Sequence, residues 1–256
     1  MTTDLTSDLS GKHFFITGAS SGIGRHTAIR LARAGAKVHL TGRDVGRLAE
    51  TISACETKSH AYTICDLANP DSLLDVIKRA AVQYGPFDGF FHSAGNEVLA
   101  PVNLVTEKRL MQALLASTFG LFSIARAATK KGITHEGGLT SIVAMSSVAS
   151  VRGQVALSAY SAAKGSVDAA VRSLATELAP RNIRVNSIIA GAIRTEMHER
   201  ITENLNQDSI DAYAARHLLG FGSLDDVVNA ALFLLSNASK WITGTGLVVD
   251  GGFSCK

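Results

Sequence analysis

"KHFFITGASSGIGRHTAIRLARAG", residues 12–35, decides the fold. Residues 12–17 form a short apolar run, 18–24 are glycine-rich, and the rest carries apolar residues at helical spacing. That order reads as strand, tight turn, helix. Gly18, Gly22 and Gly24 let the backbone turn sharply and approach a ligand closely. The helix that follows points the positive end of its dipole at the turn, which suits a pyrophosphate. With Ser20, Ser21 and Ile23, these glycines are the first candidate cofactor-binding residues. The spacing is G-x-x-x-G-x-G rather than the G-x-G-x-x-G fingerprint, and a plain tight turn is the alternative reading.

The same alternation runs outward along the chain. Further apolar runs at 36–42, 60–66, 87–95, 138–147, 183–191 and 244–252 read as strands. Helical patterns lie between them: one from near Asp44, then 69–85, roughly 104–131, 156–180 and 223–237. Pro70 and Gly85 are favourable start and stop signals for the second of these. The strands are near-continuous apolar runs, as expected when both faces are covered. The pattern predicts an α/β fold, a doubly wound parallel sheet of seven strands with right-handed crossovers, as one domain over residues 1–256. There is no internal repeat and no linker.

The 256 residues include 46% hydrophobic and 18% charged side chains, the mix of a globular chain rather than a disordered one. The net charge of +3 comes without any Lys/Arg run, so nucleic acid is not the expected partner. Cys55, Cys65 and Cys255 are too few and too scattered for a disulfide framework or a metal site. The polar start "MTTDLTSDLS" is no secretory signal, and no apolar run approaches the ~20 residues of a membrane helix. The expectation is a cytoplasmic protein with no membrane partner.

The second strand ends Thr41-Gly42-Arg43. A dinucleotide site for the non-phosphorylated cofactor places a carboxylate there for the ribose 2′-OH, whereas an Arg suits a 2′-phosphate. Gly42 stands where the carboxylate belongs and Arg43 follows, so NADP(H) is expected over NAD(H); a merely solvated Arg43 is the alternative. Asp44 is positioned to cap the next helix. Asp66, closing the third strand, can accept from an adenine amine or cap the "DLANPD" turn.

"SAYSAAKGS", residues 158–166, holds Tyr160 and Lys164 four positions apart on one helical face. An ammonium beside a phenol favours the phenolate, so Lys164 is expected to lower the Tyr160 pKa. A phenol so tuned can give its proton to a carbonyl oxygen as hydride reaches the carbon. Ser147, at the end of the fifth strand, can hold the same oxygen. Small neighbours leave room for cofactor and substrate.

With these motifs in hand, the chain resembles the short-chain dehydrogenase/reductase family in its short single-domain form, and its 3-oxoacyl-thioester reductase-like members in particular. The resemblance covers residues 10 to 253 and rests on "TGASSGIG", "HSAG" (92–95), "SS" (146–147) with "YSAAK" (160–164), "RVNSIIAGAIRTEM" (184–197) and "ITGTGLVVDGG" (242–252). It implies a seven-stranded Rossmann sheet and a mobile substrate loop before the last helix. It also implies that Ser147, Tyr160 and Lys164 are the catalytic residues, with Tyr160 and Lys164 also touching the cofactor. By the same resemblance Lys164 holds the nicotinamide ribose, Ala94 and Gly95 line the cofactor, and Ile193 and Thr195 meet the nicotinamide carboxamide.

The departures matter too. His92-Ser93 replaces Asn-Asn before Ala94-Gly95. The family's further catalytic Asn is matched by Ser117 in "ASTFG", whose hydroxyl can hold a water in its place. His92 reads as a strand-end residue near the adenosine side with no proton to move. Ala190-Gly191 replaces Pro-Gly after the sixth strand, which predicts a looser nicotinamide wall.

Residues 192–222, with Met197, Tyr213, Leu218, Leu219 and Phe221, are the lid candidate, and 201–219 can form one or two short helices. Arg152, Gln154 and Glu97 can meet a polar substrate or stay solvated. The expected activity is an NADP(H)-dependent oxidoreductase acting on a small-molecule ketone or secondary alcohol. The resemblance also implies a homotetramer built on the long helices 104–131 and 156–180 and the last helix and strand, and helices rich in Ala and Leu on more than one face suit such two-sided burial. No metal is expected. A non-catalytic dinucleotide-binding sensor or scaffold is the other function class, favoured by the altered Asn and Pro positions. A sugar-nucleotide epimerase or dehydratase is disfavoured because no C-terminal substrate domain is present.

Overall fold

The central strands alternate their side chains between two apolar layers. Phe14 and Ile16 point into one core with Val38, Leu40, Phe91 and Val143; Phe15 points into the other with Phe90, Ile142 and Ala144. The central strands are covered on both faces, which is why they read as continuous apolar runs, while the edge strands β3 (Ala61–Ile64) and β7 (Gly246–Val249) keep exposed side chains. The computed structural model describes residues 8–56, 60–96, 98–196 and 206–255.

The strands are β1 (His13–Thr17), β2 (Lys37–Gly42), β3 (Ala61–Ile64), β4 (Gly89–His92), β5 (Thr140–Ser147), β6 (Ile183–Ala190) and β7 (Gly246–Val249). They form one sheet in the order β3-β2-β1-β4-β5-β6-β7, with every pairing parallel. The order reverses direction at β1 and β4, and such a switch point opens a crevice at the C-terminal ends of the strands.

The helices are α1 (Gly22–Arg33), α2 (Val45–Ala54), α3 (Pro70–Tyr84), α4 (Glu107–Leu114), α5 (Gly120–Ala128), α6 (Ser158–Leu178), α7 (Gln207–Ala214) and α8 (Leu224–Leu235). A π-helical turn, Leu115–Phe119, joins α4 to α5, so the long helix predicted over 104–131 is widened in its middle. Together these pieces, Glu107–Ala128, are long and apolar enough to cross a bilayer, contrary to the expectation from the sequence. Here α5 packs on α3 and α4 packs on α6, and Leu121, Ile124 and Ala127 are buried in one of the cores. Most of the burial along this stretch is in the π turn and α5, while α4 buries only Ala113.

α1 and α8 pack together on the opposite face. α8 starts with a reciprocal capping box between Ser223 and Asp226, and Asp44 caps α2 through a 3.0 Å bond from the Arg47 N–H.

Candidate active site

The turn between β1 and α1 is built for close approach. Gly18 has φ +66°, and a Cβ there would stand 2.7 Å from the Ala94 nitrogen. A Cβ on Gly24 would run into the Gly18 carbonyl. Only glycine lets these backbones touch. Ser21 at the N-cap of α1 makes no side-chain capping bond, so the first-turn N–H groups have no side-chain acceptor. The Thr51 hydroxyl on α2 donates to the Ala19 carbonyl at 3.0 Å and holds the turn from behind. The Cβ position of Gly22 is open except for Glu196 and Thr195, 3.7 and 3.8 Å away, so the segment after β6 faces the turn. This cradle of glycines and unclaimed donors fits a pyrophosphate.

At the far end of the cradle, Ser20 lies beside Gly42, whose Cβ position is 3.4 Å from the Ser20 Oγ. Arg43 is exposed and makes no ion pair among the described residues. Asp44 is already engaged by its cap and by Arg47, with Nε to Oδ2 at 3.6 Å. Asp66 accepts from the Ala68 N–H at 3.0 Å in a local turn, and Asn69, not Asp66, is the N-cap of α3.

Ser147 ends β5, and Tyr160 and Lys164 lie near the start of α6, which packs against β5 and the short turn after it. Lys164 is 4% exposed, its Nζ donates to the Met145 carbonyl at 2.9 Å, and it lies 5.6 Å from the centre of the Tyr160 ring. Ser147 caps the short turn Val148–Ser150, its Oγ accepting from the Ala149 N–H at 3.2 Å, a bond that does not use its own O–H. One turn beyond Lys164, Asp168 accepts from Ser146 at 2.8 Å and Ser187 at 2.7 Å. It thereby ties α6 to β5 and β6. Both hydroxyls lie inside the sheet, so the carboxylate also meets donors that would otherwise be buried alone.

Ser117 sits in the π turn behind Lys164. Its hydroxyl is buried with no hydrogen-bonding partner among the described residues. A Cβ on Gly95 would be 3.1 Å from Lys164 Nζ and 3.4 Å from Ser117 Oγ, so both groups border the same space. His92 ends β4 as expected but does not face the adenosine side. Its Nδ1 is 2.7 Å from Thr17 Oγ1, and its Nε2 is 2.8 Å from the Ser117 carbonyl. Burial pushes its pKa down to about 4, and the nearby Lys164 ammonium adds to the effect.

At Ala190-Gly191 the backbone is held by the sheet. Ala190 pairs with Ser147 on one side and Val249 on the other, and the Gly191 N–H donates to the Val249 carbonyl at 2.9 Å. A Cβ at Gly191 would stand 2.8 Å from the Asp250 Cα, so the sheet and this close approach fix the bend without proline. Ile193 is buried and bridges Gly222. His217, 3% exposed, accepts from the Ala192 N–H through Nε2 at 3.2 Å and donates from Nδ1 to the Tyr213 carbonyl at 3.2 Å. α7 is one short helix within the lid candidate; Met197 and Glu97 lie outside the described residues. The Arg152 guanidinium is bound to the Ser254 carbonyl at 2.7 Å, which ties it to the C-terminal turn.

A family model described as Enoyl-(Acyl carrier protein) reductase matches residues 18–254. The chain belongs to the short-chain dehydrogenase/reductases. It is 32% identical over 250 residues to an L-xylulose reductase of Caenorhabditis elegans, covering 96% of this chain and 97% of the relative. It is 30% identical over 248 residues to a 3-oxoacyl-(acyl-carrier-protein) reductase of Thermotoga maritima, covering 95% and 98%. A solved short-chain type dehydrogenase/reductase from Mycobacterium marinum superposes with TM-score 0.89 at 29% identity, over 99% of each chain. The short-chain dehydrogenase/reductases to which it is similar are oxidoreductases of alcohols and ketones, and membership implies a nicotinamide dinucleotide.

Sequence reasoning missed Thr17, Asp168 and His217 as parts of this site. Thr17 carried one signal, a polar residue closing an otherwise apolar strand. Asp168 and His217 carried none at short range.

Proposed function

We propose that this chain is an NADP(H)-dependent oxidoreductase that interconverts a ketone and a secondary alcohol, acting in the cytoplasm as a homotetramer. The observation that carries the reading is the Lys164 ammonium beside the Tyr160 ring with Ser147 at the adjoining strand end. Gly18, Ser20, Ser21, Gly22, Ile23 and Gly24 would hold the pyrophosphate. Asp66 would meet the adenine, Ala94 and Gly95 would line the path, and Ile193 and Thr195 would meet the carboxamide. The bound dinucleotide supplies the hydride. Tyr160 gives its proton to the carbonyl oxygen, and Ser147 donates its free O–H to the same oxygen. Lys164 favours the phenolate left behind and orients the nicotinamide ribose. Ser117, buried and unpartnered, holds the water that returns a proton from the lysine side.

Arg43 supports the 2′-phosphate: it is exposed and makes no ion pair among the described residues, and the neighbouring Asp44 is occupied. The three free cysteines, two of them buried, are consistent with a reducing compartment. Exposed apolar side chains support the tetramer, with Met111, Phe119 and Phe122 along α4–α5 and Trp241 and Val248 near the β7 edge. The relatives' names span sugars and acyl thioesters, so the test is a panel.

Purified protein is mixed with NADPH and acetoacetyl thioesters, keto sugars, cyclic ketones or diketones, and nicotinamide absorbance is followed. Turnover on at least one class is expected, with Tyr160→Phe at least about 100-fold slower. Full turnover in Tyr160→Phe overturns the mechanism. Tight NADPH binding with no turnover on the whole panel favours the sensor.

A further inference from the structure

We propose that His92 is a positioning residue: by holding the Ser117 carbonyl it fixes the π turn and leaves the Ser117 hydroxyl directed toward Lys164. The inference rests on the oxidoreductase reading above. A peptide carbonyl only accepts, so the 2.8 Å contact requires His92 Nε2 to carry the proton. Nδ1 is then a lone pair, and the Thr17 hydroxyl donates to it at 2.7 Å. The Thr17 oxygen in turn accepts from the Ala94 N–H at 3.3 Å. Every bond in this chain has one allowed direction, and each polarises the next. It runs from the strand end beside the cofactor turn to the helix behind the lysine.

The helix is shaped to receive the ring. Within the π turn, the Gly120 N–H reaches back to the carbonyls of Leu115 and Ser117. Such widened turns gather at functional sites. A Cβ on Gly120 would stand 2.6 Å from His92 Cε1, so glycine leaves the space that the imidazole fills. With its carbonyl held by both His92 and Gly120, Ser117 has one polar group left, the buried hydroxyl that borders the Lys164 space. An imidazole with both nitrogens bonded also prevents this segment from relaxing to an ordinary α turn, which would rotate the hydroxyl away.

A double-mutant cycle tests this. In His92→Gln the side-chain amide reaches the place of Nε2 and keeps the donor to Ser117. His92→Asn reaches only as far as Nδ1 and loses it. With NADPH and the active ketone, His92→Asn is expected to lower kcat about tenfold with the ketone KM changed less than about twofold. His92→Gln is expected to stay within about threefold of wild type. In a Ser117→Ala background, His92→Asn is expected to cost nothing further, because the group it positions is gone. Equal losses in Gln and Asn, or losses that multiply with Ser117→Ala, overturn the proposal and leave His92 a packing residue. Thr17→Val keeps the ring and removes its orienting hydroxyl. It should give a milder loss of the same kind, and it serves if His92→Asn does not fold. Tyr160→Phe run alongside separates the two levels: if it keeps turnover, the underlying oxidoreductase reading fails, whatever the cycle shows.

Discussion

Two imidazoles are held neutral inside the sheet. Burial takes the pKa of both His39 and His92 to about 4, from an ordinary 6.5. His39 stacks on Phe15 with ring centres 5.3 Å apart, and His92 lies against Gly120. Between pH 6.5 and about 4 the unfolded chain binds protons that the folded one refuses. Stability is therefore complete above pH 6.5 and falls as the pH drops through that window. Each histidine contributes about 1.4 kcal/mol per pH unit to the slope. Urea unfolding at pH 7, 5.5 and 4.5 should show the decline, with a shallower slope in His92→Gln. An equal slope in that variant would mean that His92 is not held neutral by the fold. Arg43 yields the other prediction at this scale. Arg43→Ala should weaken NADPH binding by about tenfold and leave NADH nearly unchanged, read by titration of cofactor fluorescence. Parallel losses for both cofactors would argue for a solvated side chain.

Among the elements, the segment after β6 depends on a histidine that comes 25 residues later. Desolvation lowers the His217 pKa, and the nearby Arg216 adds to this; the Tyr213 carbonyl and Asp250 pull the other way. While neutral, His217 accepts from Ala192. Protonated, it has two donors and no acceptor, so that anchor fails on the acid side of its lowered pKa. The cofactor KM of wild type should therefore rise as pH falls below 6.5. In His217→Phe it should be raised at every pH and stay flat across that range, as steady-state kinetics from pH 5 to 8 would show. A KM in that variant with the wild-type pH dependence would assign the effect to another group. This contact also marks the limit of what the chain shows by itself. The five central strands were legible because burial on both faces leaves continuous apolar runs, and the edge strands β3 and β7 because the regular alternation with helices frames them. Tyr160 and Lys164 were legible because a four-residue spacing guarantees a shared helical face. The π turn was not, because "LASTF" is an ordinary helical sequence and the ring that sits against it comes from His92 on another element. Asp168 was missed for the same reason, since its partners Ser146 and Ser187 lie on two different strands. What holds the backbone at Ala190 was not legible either, because it is sheet pairing and the backbone of Asp250.

For the whole molecule, cofactor binding and assembly both act on stability. NADPH at 100 times its Kd should add about 2.7 kcal/mol, a rise of several degrees in Tm. Equal concentrations of NADH should give a smaller rise, and identical shifts would remove the basis for a 2′-phosphate preference. Light scattering on the eluting protein should give about four chain masses. A species at the 26.9 kDa of one chain would overturn the tetramer.

The strand order carries a further consequence, for synthesis on the ribosome. In the sequence β3-β2-β1-β4-β5-β6-β7, every strand joins at a free edge of what has already been made: β2 and β3 on one side of β1, then β4 to β7 on the other. No strand has to be inserted between two that have already paired. The sheet can therefore grow as the chain emerges, N-terminal part first. The glycine-rich turn can close early in translation, whereas the pairing of Gly191 with Val249 must wait for β7. A nascent chain stalled before β7 would hold the glycine-rich turn and Tyr160 but lack the pairing that fixes the backbone after β6, so the proposed site is complete only once the final strand is in place.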